Sequence, residues 1–259
     1  MNIILMSLFA GVIGMGVGGL LTTLFGNRTD KMISIFLSFA GGVMISIVFL
    51  ELIPEAVEYS SIWVTVIGLV IGSLMVLVLN SMMDKISDTG KEKPKLHETY
   101  AEFFHASEII SSRKSMLRSG IILLFAIALH NIPEGLAMGA AGYHDAALGL
   151  TLAIIIGLHN IPEGMAISAP LISGGLSKIK AVTLTLMAGS TTVLGAIAGV
   201  IIGGISDLAL ALSFSIAGGA MLYVVLAEIL PQSIVTNKDR VPTIFALVGI
   251  IIGMLLTAI

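Results

Sequence analysis

The sequence predicts an all-α polytopic membrane protein with eight transmembrane helices in a 3+2+3 arrangement containing inverted repeats. Three observations predict it. Of 259 residues, 56% are hydrophobic and only 11% charged, with a mean hydropathy of +1.06, a balance foreign to soluble domains. Eight stretches carry little or no charge over about 19 residues or more, enough to cross a bilayer. All 13 Lys and Arg fall in alternate loops, the asymmetry that orients a polytopic chain.

The first stretch, 3–25, has no basic flank before it and no small-residue cleavage site after it, and reads as a retained span. Arg28 and Lys31 separate it from span 2, 32–53, whose end carries Glu51 followed by Pro54; that proline is expected to end the helix. Span 3, 62–83, contains Gly68 and Gly72. The 84–118 segment is the one sizeable polar stretch and holds seven of the basic residues. Leu96, Tyr100, Phe103 and Phe104 are spaced for one helical face, which suggests a surface helix at the membrane interface. His97 and His105 within it are candidates for a transient metal contact, with the surface helix the plainer reading. Spans 4 (119–142) and 5 (146–170) follow. Lys178 and Lys180 lead into span 6, 181–204. Span 7, 208–231, ends with Glu228 and Pro231, and Lys238 and Arg240 precede span 8, 241–259. The remaining loops contain Glu55, Glu58, Asp145 and Asp207 but no basic residue. Both termini are therefore expected outside the cytoplasm and the 84–118 loop inside, in a plasma-membrane protein whose single domain is 1–259.

With no cysteine there is no disulfide and no thiolate for a soft metal. The lack of a basic surface domain argues against nucleic acid.

The chain repeats itself. His130-Asn131-Ile132-Pro133-Glu134-Gly135 recurs as His159-Asn160-Ile161-Pro162-Glu163-Gly164, and nine of the twelve positions 129–140 are identical in 158–169. Positions 40–55 and 217–232 share seven of sixteen residues, among them Glu51 with Glu228. Spans 3 and 8 each carry Gly-x-x-x-Gly, Gly68/Gly72 against Gly249/Gly253, for which close helix packing is the favoured explanation. Members of each pair cross in opposite directions by the charge pattern, so the repeats are inverted, as in transporters with a midplane site.

On a helix, His130 and Glu134 are i,i+4, and Asn131 is i,i+3 from Glu134. Ionisable groups at the middle of a span cost about 2.5–3.5 kcal/mol each on insertion scales, and this chain carries the set twice. Pro133 and Pro162 leave the carbonyls of Leu129 and Leu158 without helical partners. Together His130, Asn131, Glu134, His159, Asn160 and Glu163 form a candidate metal site. Two neutral imidazoles and two carboxylates match a divalent cation, and the donors suit Zn²⁺ or Fe²⁺. Six potential ligands exceed one tetrahedral set, so two ions bridged by the glutamates are geometrically reasonable. The alternative is a buried His–Glu hydrogen bond on each helix. Glu51 and Glu228 are candidate entrance and exit carboxylates, or helix-end carboxylates reaching water. Met44, Met138, Met165 and Met187 are read as packing.

The paired hexapeptides resemble those of the ZIP family of divalent metal-ion transporters, in particular a bacterial zinc-uptake branch with His-Asn-x-Pro-Glu-Gly on its fourth and fifth spans. The resemblance covers the whole chain. It implies that His130, Asn131 and Glu134 on span 4, with His159, Asn160 and Glu163 on span 5, bind a binuclear metal centre in the transport path. Relatives in that branch often carry a glutamate on span 6, in a stretch resembling 189–195, where this sequence has Ser190, Thr191 and Thr192. The expected activity is uptake of Zn²⁺, with Fe²⁺, Mn²⁺ and Cd²⁺ as further substrates, by alternating access and with no prosthetic group. A metal-selective channel is the alternative. An intramembrane zinc enzyme is disfavoured because neither copy has the His-Glu-x-x-His spacing of a zinc protease. The expected partners are divalent ions and the lipid bilayer, and a homodimer is compatible with the sequence.

Overall fold

The computed structural model describes residues 3–24, 30–87, 113–203 and 206–258. Their regular structure is entirely helical. The helices are α1 (Ile3–Leu24), α2 (Asp30–Glu58), α3 (Ile62–Ser87), α4 (Arg113–His144), α5 (Ala146–Ser173), α6 (Lys178–Gly203), α7 (Asp207–Thr236) and α8 (Val241–Thr257). Six of them, α1, α2 and α4 to α7, are long and apolar enough to cross a membrane. The apolar part of α3, Ile62–Val78, and the 17 residues of α8 are shorter. Seventeen residues rise about 26 Å, close to the ~30 Å hydrocarbon core. Because α3 runs to Ser87 and α4 begins at Arg113, the polar loop is shorter at both ends than the 84–118 read from hydropathy. Leu96, His97, Tyr100, Phe103, Phe104 and His105 lie outside the described residues.

Local chemistry fixes the short connections. Asp145 alone joins α4 to α5, and its carboxylate accepts from the Ala147 N–H at 2.8 Å, capping α5 and forcing an antiparallel hairpin. Ser206 caps α7 through the Ala209 N–H. After α5 the chain reverses at Gly175, with φ of 99° and open space around its Cα. Gly175→Ala is expected to lower stability by about 1 kcal/mol, the backbone cost of a left-handed L-residue, measured as a drop in the detergent Tm. An unchanged Tm would show that this turn adapts.

The helices form two groups. In one, α1 packs on α5, α4 on α5 and α6 on α4; in the other, α2 packs on α8 and α3 on α7. Contacts of α4 with α7 and of α2 with α5 join them. The arrangement is pseudo-symmetric in atomic detail. A Cβ on Gly18 of α1 would lie 2.0 Å from the Ile161 carbonyl oxygen of α5, and one on Gly195 of α6 would lie 2.0 Å from the Ile132 oxygen of α4. Likewise Gly42 abuts Ala246 while Gly219 abuts Leu69.

This geometry corrects the register read for spans 3 and 8. A Cβ on Gly72 would lie 2.1 Å from the Ile216 oxygen and one on Gly249 would lie 2.2 Å from the Phe39 oxygen, so Gly72 corresponds to Gly249, one turn away from the Gly68/Gly249 pairing. The Gly68/Gly249 register superposes both glycines and the observed one only Gly72 on Gly249, so glycine spacing by itself favoured the register that packing does not use.

A second correction concerns Pro54 and Pro231, which do not end their helices. Each follows a π-helical turn, Val48–Leu52 in α2 and Val225–Ile229 in α7. There the Ile53 N–H donates to the Val48 oxygen and the Leu230 N–H to the Val225 oxygen, five residues back in both cases. The wider turn relieves the clash between a proline ring and the preceding carbonyls, and the helix continues to Glu58 or Thr236. Each π turn docks against a glycine of the other helix: Val48 and Leu52 against Gly218, Ile229 and Leu230 against Gly41.

Candidate metal centre

The two hexapeptides lie at the middle of their helices. His130 is the fifteenth of 29 residues in Met116–His144, and His159 the fourteenth of 28 in Ala146–Ser173. Helical periodicity puts His130 and Glu134 on one face of α4, and His159 and Glu163 on one face of α5. The hairpin turns these faces together, and all six predicted residues are buried, at most 1% exposed.

The pairing is crossed. His130 Nε2 lies 3.3 Å from Glu163 Oε1, and His159 Nε2 lies 3.3 Å from Glu134 Oε1. Within each helix the corresponding distances are 3.6 Å, His130 to Glu134, and 3.8 Å, His159 to Glu163. Neither hexapeptide is self-contained. The expected alternative, a private His–Glu hydrogen bond on each helix, gives way to four groups sharing one centre. These separations are long for hydrogen bonds, which centre near 2.9 Å. They approach the edge of a tetrahedron around zinc, about 3.4 Å for ligands some 2.1 Å from the ion.

Four oxygens of the cluster have no hydrogen-bond partner: Asn131 Oδ1, Asn160 Oδ1, Glu134 Oε2 and Glu163 Oε2. Leaving a buried polar atom unsatisfied costs roughly 1–3 kcal/mol, more when charged, so four in one place call for a compensating species. These oxygens are lone-pair donors beside the two Nε2 atoms, and a cation is the species such a set favours. His130, Glu134 and Glu163 each bring a ligand atom within 4.8 Å of the other two.

The asparagines are held by the flanking helices. Asn160 Nδ2 donates to the Ala10 oxygen of α1 at 3.0 Å, and Asn131 Nδ2 to the Ala188 oxygen of α6 at 3.3 Å. Both amide nitrogens are spent on backbone, which leaves both oxygens available. Sequence reasoning missed these anchors. Ala10 lies in a third π-helical segment, Leu8–Ile13, whose extra residue hides the kinship of α1 with α6. The interval Ala10 to Met15 in α1 matches Ala188 to Thr192 in α6, since Gly164 abuts Met15 and Gly135 abuts Thr192.

On α6, Ser190 Oγ bonds to the Met187 oxygen on an exposed face, and Thr191 Oγ1 bonds to backbone oxygens of Ala128 and Ala188. Thr192 is fully buried and its hydroxyl has no partner. Met44 and Met138 are core residues, and Met187 is 61% exposed. Glu51 and Glu228 fall within the π turns of α2 and α7, each the twenty-second residue of its helix, half-buried and outside the His130–Glu134–Glu163 cluster.

Comparison with known proteins gives one consistent result. Residues 1–259 match the family model described as ZIP Zinc transporter. The zinc transporter ZupT of Campylobacter jejuni is 34% identical, with 98% of this chain and 94% of that protein aligned. ZupT of Corynebacterium glutamicum is also 34% identical over 98% of this chain and 95% of its own length. ZupT of Streptococcus mutans is 31% identical over 94% and 90%.

Proposed function

Because the chain belongs to the ZIP zinc transporter family, we propose that this multi-pass membrane protein carries Zn²⁺ into the cytoplasm through the buried centre between α4 and α5. The observation that carries the reading is the crossed His–Glu cluster with its four unsatisfied oxygens at mid-helix depth. His130, His159, Glu134 and Glu163 supply the primary ligands. Asn131 and Asn160, fixed through their amide nitrogens, offer oxygens to a second ion that the glutamates bridge. Fe²⁺, Mn²⁺ and Cd²⁺ are accepted by the same borderline donors. With eight crossings both termini share one side, and the basic residues in alternate loops make that side the outer one, with Glu51 and Glu228 serving as entrance and exit carboxylates.

The helix groups favour a carrier over a channel, because the ligands belong wholly to the α1/α4/α5/α6 group, and rocking of one group against the other would expose them to either side in turn. Zinc flux is the expected activity, with no hydrolytic product. Uptake of radioactive zinc into proteoliposomes, with unlabelled metals competing, tests this. Saturation at low metal concentration is the expected result; linear, unsaturable flux contradicts a carrier.

Thr192 sets the capacity of the second position. Thr192→Glu places a carboxylate where this chain has only a hydroxyl, and equilibrium metal counting on purified protein is expected to give a higher stoichiometry than the parent. Equal stoichiometry in a folded variant would show that Thr192 faces away from the ions.

A further inference from the structure

A second feature of the helix groups is lined by none of the metal ligands. A cavity of about 410 Å³ opens at the seam where α4 and α6 of one group meet α3 and α7 of the other. Met75, Leu129, Pro133, Leu136, Ile202 and Ser213 form much of its wall. The Ser213 hydroxyl donates to the Ala209 oxygen of its own helix at 2.8 Å, so it offers the cavity nothing polar. We propose that this cavity is an acyl-chain site, taking the hydrocarbon tail of a bilayer lipid.

Four observations identify the occupant. The wall is apolar, and apolar cavities exclude water and accept hydrocarbon. The cavity flanks Pro133, beside the mid-helix His130, and so lies at the depth of lipid tails. Its rim continues into the lipid-facing surface, since Leu74, Ile201 and Leu208, neighbours of wall residues, are 51%, 70% and 50% exposed. Finally, the cavity is asymmetric. The repeat that matches Gly42 with Gly219 also matches Met32, Phe36 and Phe39 of α2 with Ala209, Ser213 and Ile216 of α7. Phe36 and Phe39 are half-buried and packed against the core. One copy of the repeat thus supplies its own aromatic groups where the other leaves room for a ligand.

The test uses the whole protein in liposomes containing phosphatidylcholine with a diazirine at mid-chain. After illumination, mapped adducts are expected to be enriched several-fold at Leu136 and Leu212 over the exposed faces of α1 and α8. Ser213→Phe, which copies the α2 side chain, is expected to abolish that enrichment while labelling elsewhere persists. If Ser213→Phe does not fold, Ala209→Met decides by the same loss. Uniform labelling of the parent, or enrichment that survives in a folded filled variant, overturns the proposal. The readout is lipid contact, so it is independent of zinc flux.

Discussion

Alanine at Glu134 or Glu163 is expected to reduce zinc uptake roughly a hundredfold or more, because removing even a residue that merely orients a metal ligand costs 10–100-fold. Each carboxylate lies 3.3 Å from the imidazole of the other helix and 3.6 or 3.8 Å from that of its own. One substitution therefore removes an anionic ligand and unpairs a histidine on each side. Glutamine separates charge from packing: Glu134→Gln keeps the volume and a hydrogen bond to His159 but loses the charge that attracts a dication. Both variants are expected to reach the membrane at parental levels. Zinc should raise the parent's Tm, since a ligand at a hundred times its Kd stabilises by about 2.7 kcal/mol, and leave the variants' Tm unmoved. Parental flux from well-expressed Glu134→Ala would eliminate this centre as the transport site.

The other large effect concerns the glycines that close each hexapeptide. A Cβ on Gly135 would lie 2.0 Å from the Thr192 oxygen, and one on Gly164 would lie 2.2 Å from the Met15 oxygen. The obstructing atoms are helix backbone and cannot rotate away. Gly135→Leu and Gly164→Leu must therefore push α4 from α6 or α5 from α1, at a cost above the 1–3 kcal/mol typical of overpacking. The shift would also pull the asparagines from their carbonyl anchors at Ala188 and Ala10. Little monodisperse protein is expected from either variant in detergent. A parental elution profile and Tm for Gly164→Leu would show that these helices separate at no cost.

Much of this was legible in the sequence because membrane insertion and metal ligation leave periodic marks. Hydropathy located the helices, and the verbatim hexapeptide located the buried His–Glu cluster, since i,i+4 spacing is enough to put His130 and Glu134 on one face. The crossed partnership was not legible, because it depends on how the α4–α5 hairpin turns one face onto the other. Nor was the α1/α6 repeat. Gly11 and Gly18 are seven apart, while Gly189 and Gly195 are six apart, and the π turn at Leu8–Ile13 absorbs the difference. The continuation of α2 and α7 through Pro54 and Pro231 has the same cause: π turns are invisible to a reading based on 3.6 residues per turn. The glycine register of α3 and α8 failed because glycine spacing matches best one turn away from the register the packing uses.

The centre is tested most directly by diffraction from zinc-soaked crystals at the zinc absorption edge. An anomalous peak is expected between α4 and α5, about 2.0–2.2 Å from Nε2 of His130 or His159 and from oxygens of Glu134 and Glu163. No bound zinc at these four residues, with strong peaks on other side chains of the folded protein, would contradict it.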